Sequence, residues 1–501
     1  MEYIIVQAGG MGTRLKYLTQ NKPKALVPIE NLPMIFHLFR HYPDKKYIII
    51  ADYKKEVLRE YLSCFAEVDY QIVEATGTGT CSGVAKAINM IPDNNPFMLI
   101  WSDLVLPENF QLPNEYEENG IPTNDYIGIS KTFECRWSYD NNIFAEQKSF
   151  EHGVAGFFLF TDKSKLNGIP ESGELVRWLS QNDKSFKEVS LAGTKEFGLV
   201  EEYEKLIKEK CRPFNRITID GNILTKEAID EFGKKLAVRE CTWYEYAKNK
   251  NIKILPKIYS TNPLKMEYIK GKNLYECQCD YEDKKIILEK VINALKKLHN
   301  SEKVLSDHSS IKEAYYNKTI DRIAKVENLI PFAKNEFINI NGRKCRNVFF
   351  YKDKLEKKLE KMSCKSFSFI HGDCTFSNIL LRDNGEPALI DPRGYFGHTE
   401  LFGDERYDWA KLYYSIVGNY DRFNLKDFRL KINEDNIELK IESNHWEDLE
   451  NDFFLLTGAN PYQIKLLHAV IWLSLTTYAW QDYDSICGAF YNGLFYLEEV
   501  L

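Results

Sequence analysis

The sequence predicts two domains of different fold class, an α/β domain at the N-terminus and an α+β domain after it. Length is the first observation, because 501 residues exceed what one hydrophobic core usually organises. The second is the β-branched run EYIIV at residues 2–6, which predicts a strand ending at the glycine-rich loop QAGGMGTRL. The third is RITIDGNILTK, where two strand-like runs flank Asp220 and Gly221 and predict a β-hairpin.

The composition is that of a globular protein with ample core material, at 44% apolar and 28% charged residues. The net charge of −7 provides no general attraction to nucleic acid or to an anionic membrane. Phosphate groups must therefore be held by local sites. We expect small-molecule partners, no nucleic acid and no membrane insertion, while the oligomeric state stays open.

Cysteine usage and the apolar runs predict a cytoplasmic protein. The eleven cysteines are scattered, and Cys277 and Cys279, the only close pair, have no second pair at zinc spacing. The opening MEYIIVQAGG lacks a basic segment before an apolar one, so no signal peptide is expected. The longest apolar run, residues 466–480, is too short to span a bilayer and contains His468, so it predicts a buried helix.

The glycine-rich loop is followed, about a dozen residues later, by PKALVPI. The loop itself lacks the last glycine of GxGxxG, and no GxxxxGK[ST] occurs in the chain. Taken together, however, GGMGTRL and PKALVPI closely resemble the signature of the sugar-phosphate nucleotidylyltransferases. The resemblance implies a Rossmann-like mixed sheet and covers roughly residues 1–200.

This resemblance implies a role for each loop residue. Gly10, Gly12 and Thr13 would lie at the nucleotide triphosphate, with Arg14 beside them, and Lys24 would neutralise charge at the reacting phosphates. Arg14 and Lys24 are thus the candidate catalytic residues. The alternative is a solvated basic loop, which we disfavour because a concentrated trianion requires such cations in any family.

Two carboxylates are candidate magnesium ligands in the same domain. PFMLIWSDLVL is an apolar strand that breaks at Asp103, and the carboxyl end of a parallel strand is where α/β sheets bind ligands. By itself Asp103 could equally cap the next segment. The family has a magnesium-binding Asp at such a strand end, which makes Asp103 the first predicted ligand. EFGLVEEYEK resembles the family's Asp-x-Gly-Thr-x-Glu-Asp segment, with Glu196 in place of Asp as the second; the alternative is a solvated Glu196.

Two further segments resemble substrate-binding parts of that family. AEQKSFEHGVAGFFLF resembles its Glu-Lys stretch before a glycine-containing strand, which makes Lys148 the candidate for the acceptor phosphate. ATGTGTCSG falls where the base and ribose are usually held, so Gly79 and Thr80 are candidate nucleotide contacts. A Gly-Thr run is also common in ordinary loops.

The domain boundary is predicted near residue 210, where a charged helical stretch breaks at CRPFN. The predicted domains are residues 1–210, a small lobe at 211–270 and a large lobe at 271–501 with a helical C-terminus. Lys226 ends the predicted hairpin, and Glu240 lies on a predicted amphipathic helix. A Lys on a strand paired to a Glu on a helix positions ATP phosphates in kinase-like lobes, although either residue alone is more often surface charge.

Three segments of the second domain resemble the aminoglycoside and choline phosphotransferases: KIYSTNPLKMEYIKGKNL, HGDCTFSNIL and ALIDPRGYFG. The first resembles the hinge strand, so Glu267 and Ile269 would run beside adenine. In HGDxxxxN, Asp373 would orient or deprotonate the acceptor hydroxyl and Asn378 would bind magnesium. Asp391 would be the main metal ligand. The resemblance implies a protein-kinase-like, two-lobed fold over roughly residues 214–420.

Later segments carry weaker predictions. GDERYDWAKLYYSIVG resembles a later helix of the same family, with Asp404 and Asp408 as acceptor or framework contacts and framework favoured for Asp408. LKINEDNIELKIES predicts a β-hairpin, and the final forty residues predict helices.

The pair of resemblances predicts a bifunctional enzyme, because a kinase makes a phosphomonoester and a nucleotidylyltransferase consumes one. The expected substrates are ATP, CTP and a small sugar or polyol, with Mg²⁺ at both sites and a surface-polysaccharide precursor as product. One alternative is choline or ethanolamine as the alcohol. Another, of a different class, is that one domain is a silent binding or regulatory module, which the intact Asp373, Asn378 and Asp391 argue against for the kinase.

Overall fold

The computed structural model describes residues 1–117, 122–182, 185–205, 215–229, 231–248, 250, 252, 254–434 and 436–501. The chain forms two compact units. Unit 1 comprises Met1–Ile207 with Gln481–Asp484, and unit 2 comprises Lys208–Trp480 with Ser485–Leu501. The sequence did not indicate that the segment Gln481–Asp484 belongs to unit 1. The predicted boundary near residue 210 lies outside the described residues.

Unit 1 is an α/β structure, and its strands are β1 (Tyr3–Gln7), β2 (Pro28–Ile29), β3 (Leu32–Pro33), β4 (Lys46–Ala51), β5 (Asp69–Glu74), β6 (Phe97–Trp101), β7 (Leu104–Val105), β8 (Tyr126–Ser130), β9 (Ser138–Asp140), β10 (Ile143–Ala145), β11 (Gly153–Phe160), β12 (Lys187–Ser190) and β13 (Lys195–Glu196). Its helices are α1 (Met34–His41), α2 (Lys55–Phe65), α3 (Val84–Ile88), α4 (Asn114–Glu117), α5 (Leu175–Gln181) and α6 (Val200–Lys205).

The sheet of unit 1 is mixed, which confirms the predicted α/β fold class of this part of the chain. Strand order along the main path is β10-β9-β11-β6-β1-β4-β5, with β8 and β12 attached beside β11. β1 runs parallel to both β4 and β6, whereas β11 runs antiparallel to β6. The central strands are apolar and buried throughout their middles because they are covered on both faces. This order brings the carboxyl ends of β1 and β6 together at one edge.

Unit 2 contains the strands β14 (Asn215–Asp220), β15 (Ile223–Ala228), β16 (Ile258–Thr261), β17 (Leu264–Glu267), β18 (Gly271–Asn273), β19 (Lys303–Leu305), β20 (Phe337–Ile340), β21 (Arg343–Arg346), β22 (Ser366–Phe369), β23 (Ile379–Arg382), β24 (Pro387–Leu389), β25 (Tyr395–Phe396), β26 (Thr399–Glu400), β27 (Phe402–Gly403), β28 (Phe428–Ile432) and β29 (Ile437–Ile441). Its helices are α7 (Glu231–Lys248), α8 (Tyr281–His299), α9 (His308–Lys312), α10 (Lys318–Lys325), α11 (Lys352–Glu360), α12 (Glu405–Ile416), α13 (Tyr420–Asn424), α14 (Glu450–Thr457), α15 (Pro461–Leu475) and α16 (Tyr483–Leu497).

Several local predictions for unit 2 are confirmed. β14 and β15 form an antiparallel hairpin around Gly221, which has a φ of 59°. β28 and β29 form the second predicted hairpin, and α15 and α16 are the predicted C-terminal helices. α15 begins with Asn460 as a side-chain cap and Pro461 in its first turn, and most of its later residues, including His468, are buried.

The small sheet of unit 2 has the order β14-β15-β17-β16, and α7 packs against β15 and β16. A hydrophobic core of this unit is built around Trp243 of α7, Val291 of α8, Phe369 of β22 and Leu412 of α12. Among the described residues, no helix combines the length and the apolar character that a bilayer crossing needs.

Candidate active sites

The glycine-rich loop of unit 1 follows β1 directly and depends on its glycines. Gly12 has a φ of 64°, in the left-handed region that L side chains rarely adopt. A Cβ on Gly12 would also lie 3.1 Å from the Cβ of Lys24. Gly10 has open space around its Cα, and Thr13 begins the 3₁₀ helix Thr13–Thr19. The loop therefore leaves backbone accessible where a triphosphate would approach and holds it against the segment of Lys24.

Lys24 and Asp103 come together in the folded chain. Lys24 begins the short 3₁₀ helix Lys24–Leu26, and its Nζ forms a close ion pair with the Asp103 carboxylate. Both side chains are largely buried, with 12% and 13% of their surfaces exposed. Asp103 follows β6, and the parallel pairing of β6 with β1 brings it beside the glycine-rich loop. Lys24, predicted to act on the reacting phosphates, and Asp103, predicted to bind the metal, are thus in direct contact.

Glu196 is brought next to Asp103 by a two-stranded sheet. β13 pairs antiparallel with β7, so that Glu196 lies opposite Leu104, and the Phe197 N–H donates to the Asp103 carbonyl at 3.3 Å. The Glu196 Oε1 lies 3.6 Å from a guanidinium nitrogen of Arg14. The Arg14 side chain is 63% exposed. The longer side chain therefore still reaches the site.

These carboxylates supply the hard oxygen donors that Mg²⁺ requires, so the site fits the ion that the sequence implies. The Cys135 thiol lies close enough to these carboxylates for them to contribute to its pKa. Burial, with further contributions from Glu196, Asp103 and Glu134, raises its pKa to about 12. The carboxylates at this site would attract a metal cation, and the neighbouring Lys24 and Arg14 would attract a polyphosphate.

The loop predicted to hold the base is attached to the end of β1. The Gln7 Nε2 donates to the Thr80 carbonyl at 2.6 Å, and the Leu175 N–H donates to the Thr80 Oγ1 at 2.8 Å. Gly79 has a φ of 80°, and a Cβ there would lie 2.4 Å from the Gly173 carbonyl oxygen. Thr80 thus positions the loop with its own polar groups, and Gly79 permits its close approach to the neighbouring backbone.

Lys148, the predicted acceptor-phosphate contact, lies on the surface of unit 1. Its side chain is 73% exposed, and its Nζ pairs with Glu134 at 2.6 Å. An exposed pair of this kind contributes little to stability, so Lys148 can exchange Glu134 for a phosphate at small cost.

Sequence reasoning missed a buried ion-pair cluster next to Pro23 and Lys24. The Lys22 ammonium pairs with Asp482 at 3.0 Å and with Asp484, both in the short C-terminal segment of unit 1. The Lys22 side chain is 2% exposed. Burial lowers the pKa of Lys22, but the two carboxylates more than offset this and hold it above its usual range. About 460 residues separate the partners, and no local pattern signals such a pair.

In unit 2, Lys226 joins two acidic residues from different elements. Its Nζ lies 2.8 Å from Glu240 on α7 and 2.8 Å from Asp391, which follows β24. Glu240 is almost fully buried, and this burial raises its pKa although Lys226 opposes the shift. Asp391 has a φ of 55°, a left-handed conformation that Asp tolerates better than most residues and that often marks functional positions.

Asp373 and Asn378 are locked together by hydrogen bonds. The Asn378 Nδ2 donates to both the carbonyl and the carboxylate of Asp373, each at 2.9 Å, so the amide oxygen is the atom that a cation would meet. Asn378 precedes β23 and Asp391 follows β24, and these strands pair antiparallel. The Ile390 N–H also donates to the Asn378 carbonyl at 3.0 Å. The two predicted ligands therefore lie at the same end of the hairpin and fit an oxygen-ligated cation such as Mg²⁺.

Asp408 is a framework residue, as favoured from the sequence. It is fully buried and accepts from the backbone N–H groups of His371 and Gly372 at 2.9 and 2.7 Å, and it contacts the His299 Nε2 at 2.9 Å. Burial raises the pKa of Asp408, but His299 and the backbone donors more than offset this and hold it below its usual range. Asp404 is likewise structural, because it caps α12 and pairs with Arg406.

We expect Asp408→Asn to lower the free energy of unfolding by about 2 kcal/mol, because charged acceptors make the stronger hydrogen bonds. The folded-state pKa of Asp408 is depressed, so its stabilisation is present above the unfolded pKa of about 3.9 and is lost as the pH falls through the folded value. Urea unfolding of the full chain at pH 7 and at lower pH measures both effects. The exposed Asp353→Asn is the control; equal stability of the two variants at pH 7 would contradict the role.

Lys411 is a second residue that the sequence analysis did not single out. It lies one turn after Asp408 on α12, and its Nζ pairs with the Asp373 carboxylate at 2.9 Å. The helical spacing from Asp408 is the only sequence signal that could have suggested it.

The two predicted hinge residues differ in their surroundings, since the Glu267 side chain forms an ion pair and the Ile269 side chain is buried. The Glu267 carboxylate pairs with Arg382 at 2.5 Å and accepts from the Lys257 N–H at 3.1 Å, so its side chain holds the strand in place. Ile269 is buried, with 6% of its surface exposed. An adenine contact at these positions would therefore involve the Glu267 backbone and the apolar side chain of Ile269.

Residues 3–118 match the family model described as nucleotidyl transferase. Curated relatives include the bifunctional protein GlmU of Methanococcus maripaludis, 28% identical over 28% of this chain and 33% of the relative. Another is the UTP–glucose-1-phosphate uridylyltransferase AglF of Haloferax volcanii, 30% identical over 21% of this chain and 44% of the relative. A third is the D-glycero-alpha-D-manno-heptose 1-phosphate guanylyltransferase of Campylobacter jejuni, 25% identical over 36% of this chain and 87% of the relative. The chain spans about a third of the length of the first of these relatives.

Among solved structures, HddC from Yersinia pseudotuberculosis is 19% identical, with a TM-score of 0.35 over 41% of this chain and 97% of that protein. The family match shows that the N-terminal unit contains a nucleotidyltransferase domain.

Proposed function

We propose that the chain is a bifunctional enzyme that phosphorylates a small alcohol with ATP in unit 2 and then transfers a nucleotidyl group to the product in unit 1. The observation that carries the proposal is the convergence, in unit 2, of Asp373, Asn378 and Asp391 with the Lys226–Glu240 pair. A kinase of this arrangement makes a phosphomonoester. A nucleotidyltransferase domain in the same chain is suited to consume one.

In unit 2 the residues divide the work of phosphoryl transfer. Asp373 would accept the hydroxyl hydrogen of the alcohol, and Asn378 holds its carboxylate in one orientation. Lys226, held by Glu240, would neutralise ATP phosphate charge. Asn378 and Asp391 would hold Mg²⁺, which when bound offsets charge on the transferred phosphoryl group. The alcohol oxygen forms a bond to the γ-phosphorus of ATP. The bond between the γ-phosphorus and the bridging β-phosphate oxygen breaks, and ADP is released.

In unit 1 a phosphate oxygen of the acceptor attacks the α-phosphorus of the nucleotide, and pyrophosphate leaves. Lys24 and Arg14 would stabilise the charge that develops on the phosphates, and Gly10, Gly12 and Thr13 would bring backbone to the triphosphate. Asp103 and Glu196 would hold Mg²⁺, which when bound polarises the phosphate oxygens. Lys148 would meet the acceptor phosphate, and the loop of Gly79 and Thr80 the base and ribose.

We propose a sugar or polyol as the alcohol, because two of the relatives are named for their action on sugar 1-phosphates. The product would be an NDP-linked precursor of a surface polysaccharide. CTP is the proposed nucleotide because primary polyol phosphates are commonly activated with it, whereas the relatives' names specify uridylyl and guanylyl transfer.

The test is an assay of the full chain with a panel of alcohols, ATP and each of the four nucleoside triphosphates in turn. We expect ADP with a suitable alcohol, and pyrophosphate only when that alcohol and ATP, or the preformed alcohol phosphate, are present. ADP formation without pyrophosphate from any nucleotide would contradict the coupled function, and pyrophosphate without any ADP would contradict the kinase.

Substitution of Glu196 tests the second ligand of unit 1. A Glu has one methylene more than the Asp of the family pattern, and Mg²⁺ tolerates little departure from octahedral geometry at about 2.1 Å. We expect Glu196→Gln to reduce nucleotidyl transfer strongly and to raise the magnesium requirement, Glu196→Asp to be intermediate, and ADP formation to be unaffected. Magnesium titrations of these variants and of the exposed Glu151→Gln control measure this. Superimposable curves for all proteins would remove Glu196 from the site.

A further inference from the structure

A group of cationic side chains surrounds one tyrosine ring close to Asp373. The Lys318 Nζ and the Lys411 Nζ each lie 5.9 Å from the centre of the Tyr407 ring, and the Arg393 Cζ lies 5.8 Å from it. Arg322, one turn after Lys318 on α10, lies close enough to add to the positive potential at Lys318. We call Lys318, Arg322, Arg393 and Lys411 the cation cluster.

The cation cluster has too few acidic partners. Lys411 pairs with Asp373 at 2.9 Å. Arg393 donates to the hydroxyl oxygens of Tyr407 and Tyr395 at 2.7 and 2.6 Å, which are neutral partners.

The other two members also lack a carboxylate in contact. Arg322 donates to the carbonyl and the hydroxyl oxygen of Ser474 at 2.7 and 3.2 Å. Across the described ranges of the chain, no carboxylate lies within ion-pair distance of Lys318, Arg322 or Arg393. Glu313 partly offsets the lowering of the Lys318 pKa, and its carboxylate accepts from Asn317 at 3.3 Å.

Burial lowers the pKa values of Lys318 and Arg322, so the electrostatic cost of the arrangement falls on these two residues. The pKa values of Lys411 and Arg393 are instead raised by Asp373 and neighbouring tyrosines, although burial opposes this. Burial lowers the pKa of Lys318, and Arg393, Arg322 and Lys411 lower it further, well below its usual range. The same positive field acts on Tyr395, whose pKa Arg393, Arg322 and Arg239 hold below normal although burial opposes the shift. Cations that are kept together without acids are stabilised when an anion binds among them.

This inference rests on the kinase function proposed for unit 2. We propose that the alcohol phosphorylated there carries an anionic group, a carboxylate or a phosphate, which Lys318, Arg322 and Arg393 bind while the hydroxyl meets Asp373. Lys226, Glu240 and Asp391 form the separate group assigned to ATP and Mg²⁺. The alcohol oxygen bonds to the γ-phosphorus of ATP, its hydrogen passes to Asp373, and ADP leaves.

The charge of the cluster also selects against cationic alcohols. Choline and ethanolamine carry a positive charge that Lys318, Arg322 and Arg393 would repel. Tyrosine rings can attract such cations, but Lys411 already lies 5.5 Å from the ring centre of Tyr414 and 5.9 Å from those of Tyr407 and Tyr420. The anionic group thus separates this acceptor class from that of choline kinases.

Matched acceptors of one carbon skeleton test the proposal in the full chain with ATP and magnesium. Glycerol, glycerate and glycerol 3-phosphate differ in charge, and choline and ethanolamine supply the opposite sign. We expect kcat/KM, measured by ADP release, to be about 10- to 100-fold higher for glycerate or glycerol 3-phosphate than for glycerol, the scale of charge-assisted hydrogen bonds. The comparison of glycerate with glycerol 3-phosphate distinguishes carboxylate from phosphate.

Variants of α10 identify the residues responsible. Lys318→Gln and Arg322→Gln should raise the KM for the anionic acceptor by about tenfold or more and leave the KM for ATP unchanged. Lys325→Gln, an exposed lysine of the same helix, is the control and should match the parent protein. A rise in the KM for ATP instead would assign the cluster to the nucleotide and overturn the proposal.

Binding of the anions without ATP separates this proposal from the kinase function. Thermal unfolding with and without glycerate or glycerol 3-phosphate should show stabilisation that Lys318→Gln removes. ADP formation with glycerol or choline at an equal or higher rate than with the anions would overturn the anionic acceptor and leave the kinase standing. Stabilisation that depends on Lys318, with no ADP from any alcohol, would support the anion site and overturn the kinase. Absence of both would overturn both.

Discussion

We expect Asp373→Ala to lower ADP formation in the full chain by about 10³-fold or more and to leave nucleotidyl transfer to a supplied alcohol phosphate intact. The expected loss follows from the position of the carboxylate, which Asn378 and Lys411 hold and which would accept the hydroxyl hydrogen. A positioned general base contributes about 10²- to 10⁴-fold. Unit 1 has its own set of charged residues, so the reaction proposed for it should not depend on Asp373. ADP and pyrophosphate release measured on the same preparation give both rates.

Asp383→Ala is the matched control for this experiment, because Asp383 is an exposed aspartate in the loop between β23 and β24. It should retain both activities. If Asp373→Ala keeps near-normal ADP formation, Asp373 is not the base; if a folded Asp373→Ala protein loses both activities, the two-site function is wrong. Thermal unfolding of each variant establishes that the proteins are folded.

We expect Lys24→Ala to lower pyrophosphate release by about 10²-fold or more, the scale of losing one preorganised charge contact to a transition state. The buried Lys24 would act on phosphate oxygens, and in the free protein it pairs with Asp103. The substitution also leaves the Asp103 carboxylate without this cation, so the magnesium dependence should change together with the rate. ADP formation in unit 2 should be unaffected. Initial rates over a magnesium titration measure all three effects.

The exposed Lys187→Ala on β12 has the same change of charge outside the site and serves as the control. It should match the parent protein in both reactions. Near-normal pyrophosphate release by Lys24→Ala would refute the role of Lys24 in catalysis.

Local segments could be predicted from the sequence because their structure depends on nearby residues. The hairpin around Gly221 forms where a positive φ is needed, and the loop between Asp373 and Asn378 closes through hydrogen bonds five residues apart. The mixed sheet of unit 1 was implied by the resemblance of its loop motifs to a known family, and the strand β1 itself was predictable because it reads as a continuous apolar run.

The contacts that assemble the sites depended on strand order and register, which a single sequence does not encode locally. Lys24 meets Asp103 because β1 and β6 pair in parallel, and Glu196 reaches Asp103 because β13 pairs with β7. Neither pairing can be derived from residue spacing, since each joins segments far apart in the chain.

The amino-acid sequence by itself determined the residue types of both sites and the order in which they occur: a glycine-rich loop with PKALVPI, then HGDCTFSNIL and IDPRG. The tertiary structure alone decided which charges balance one another. It brought Lys22 to Asp482 across the whole chain, and it gathered Lys318, Arg393 and Lys411 around Tyr407, where Asp373 pairs with Lys411. The physical reason is that charge interactions act through space over a few ångströms, so their partners are set by packing and not by distance along the chain.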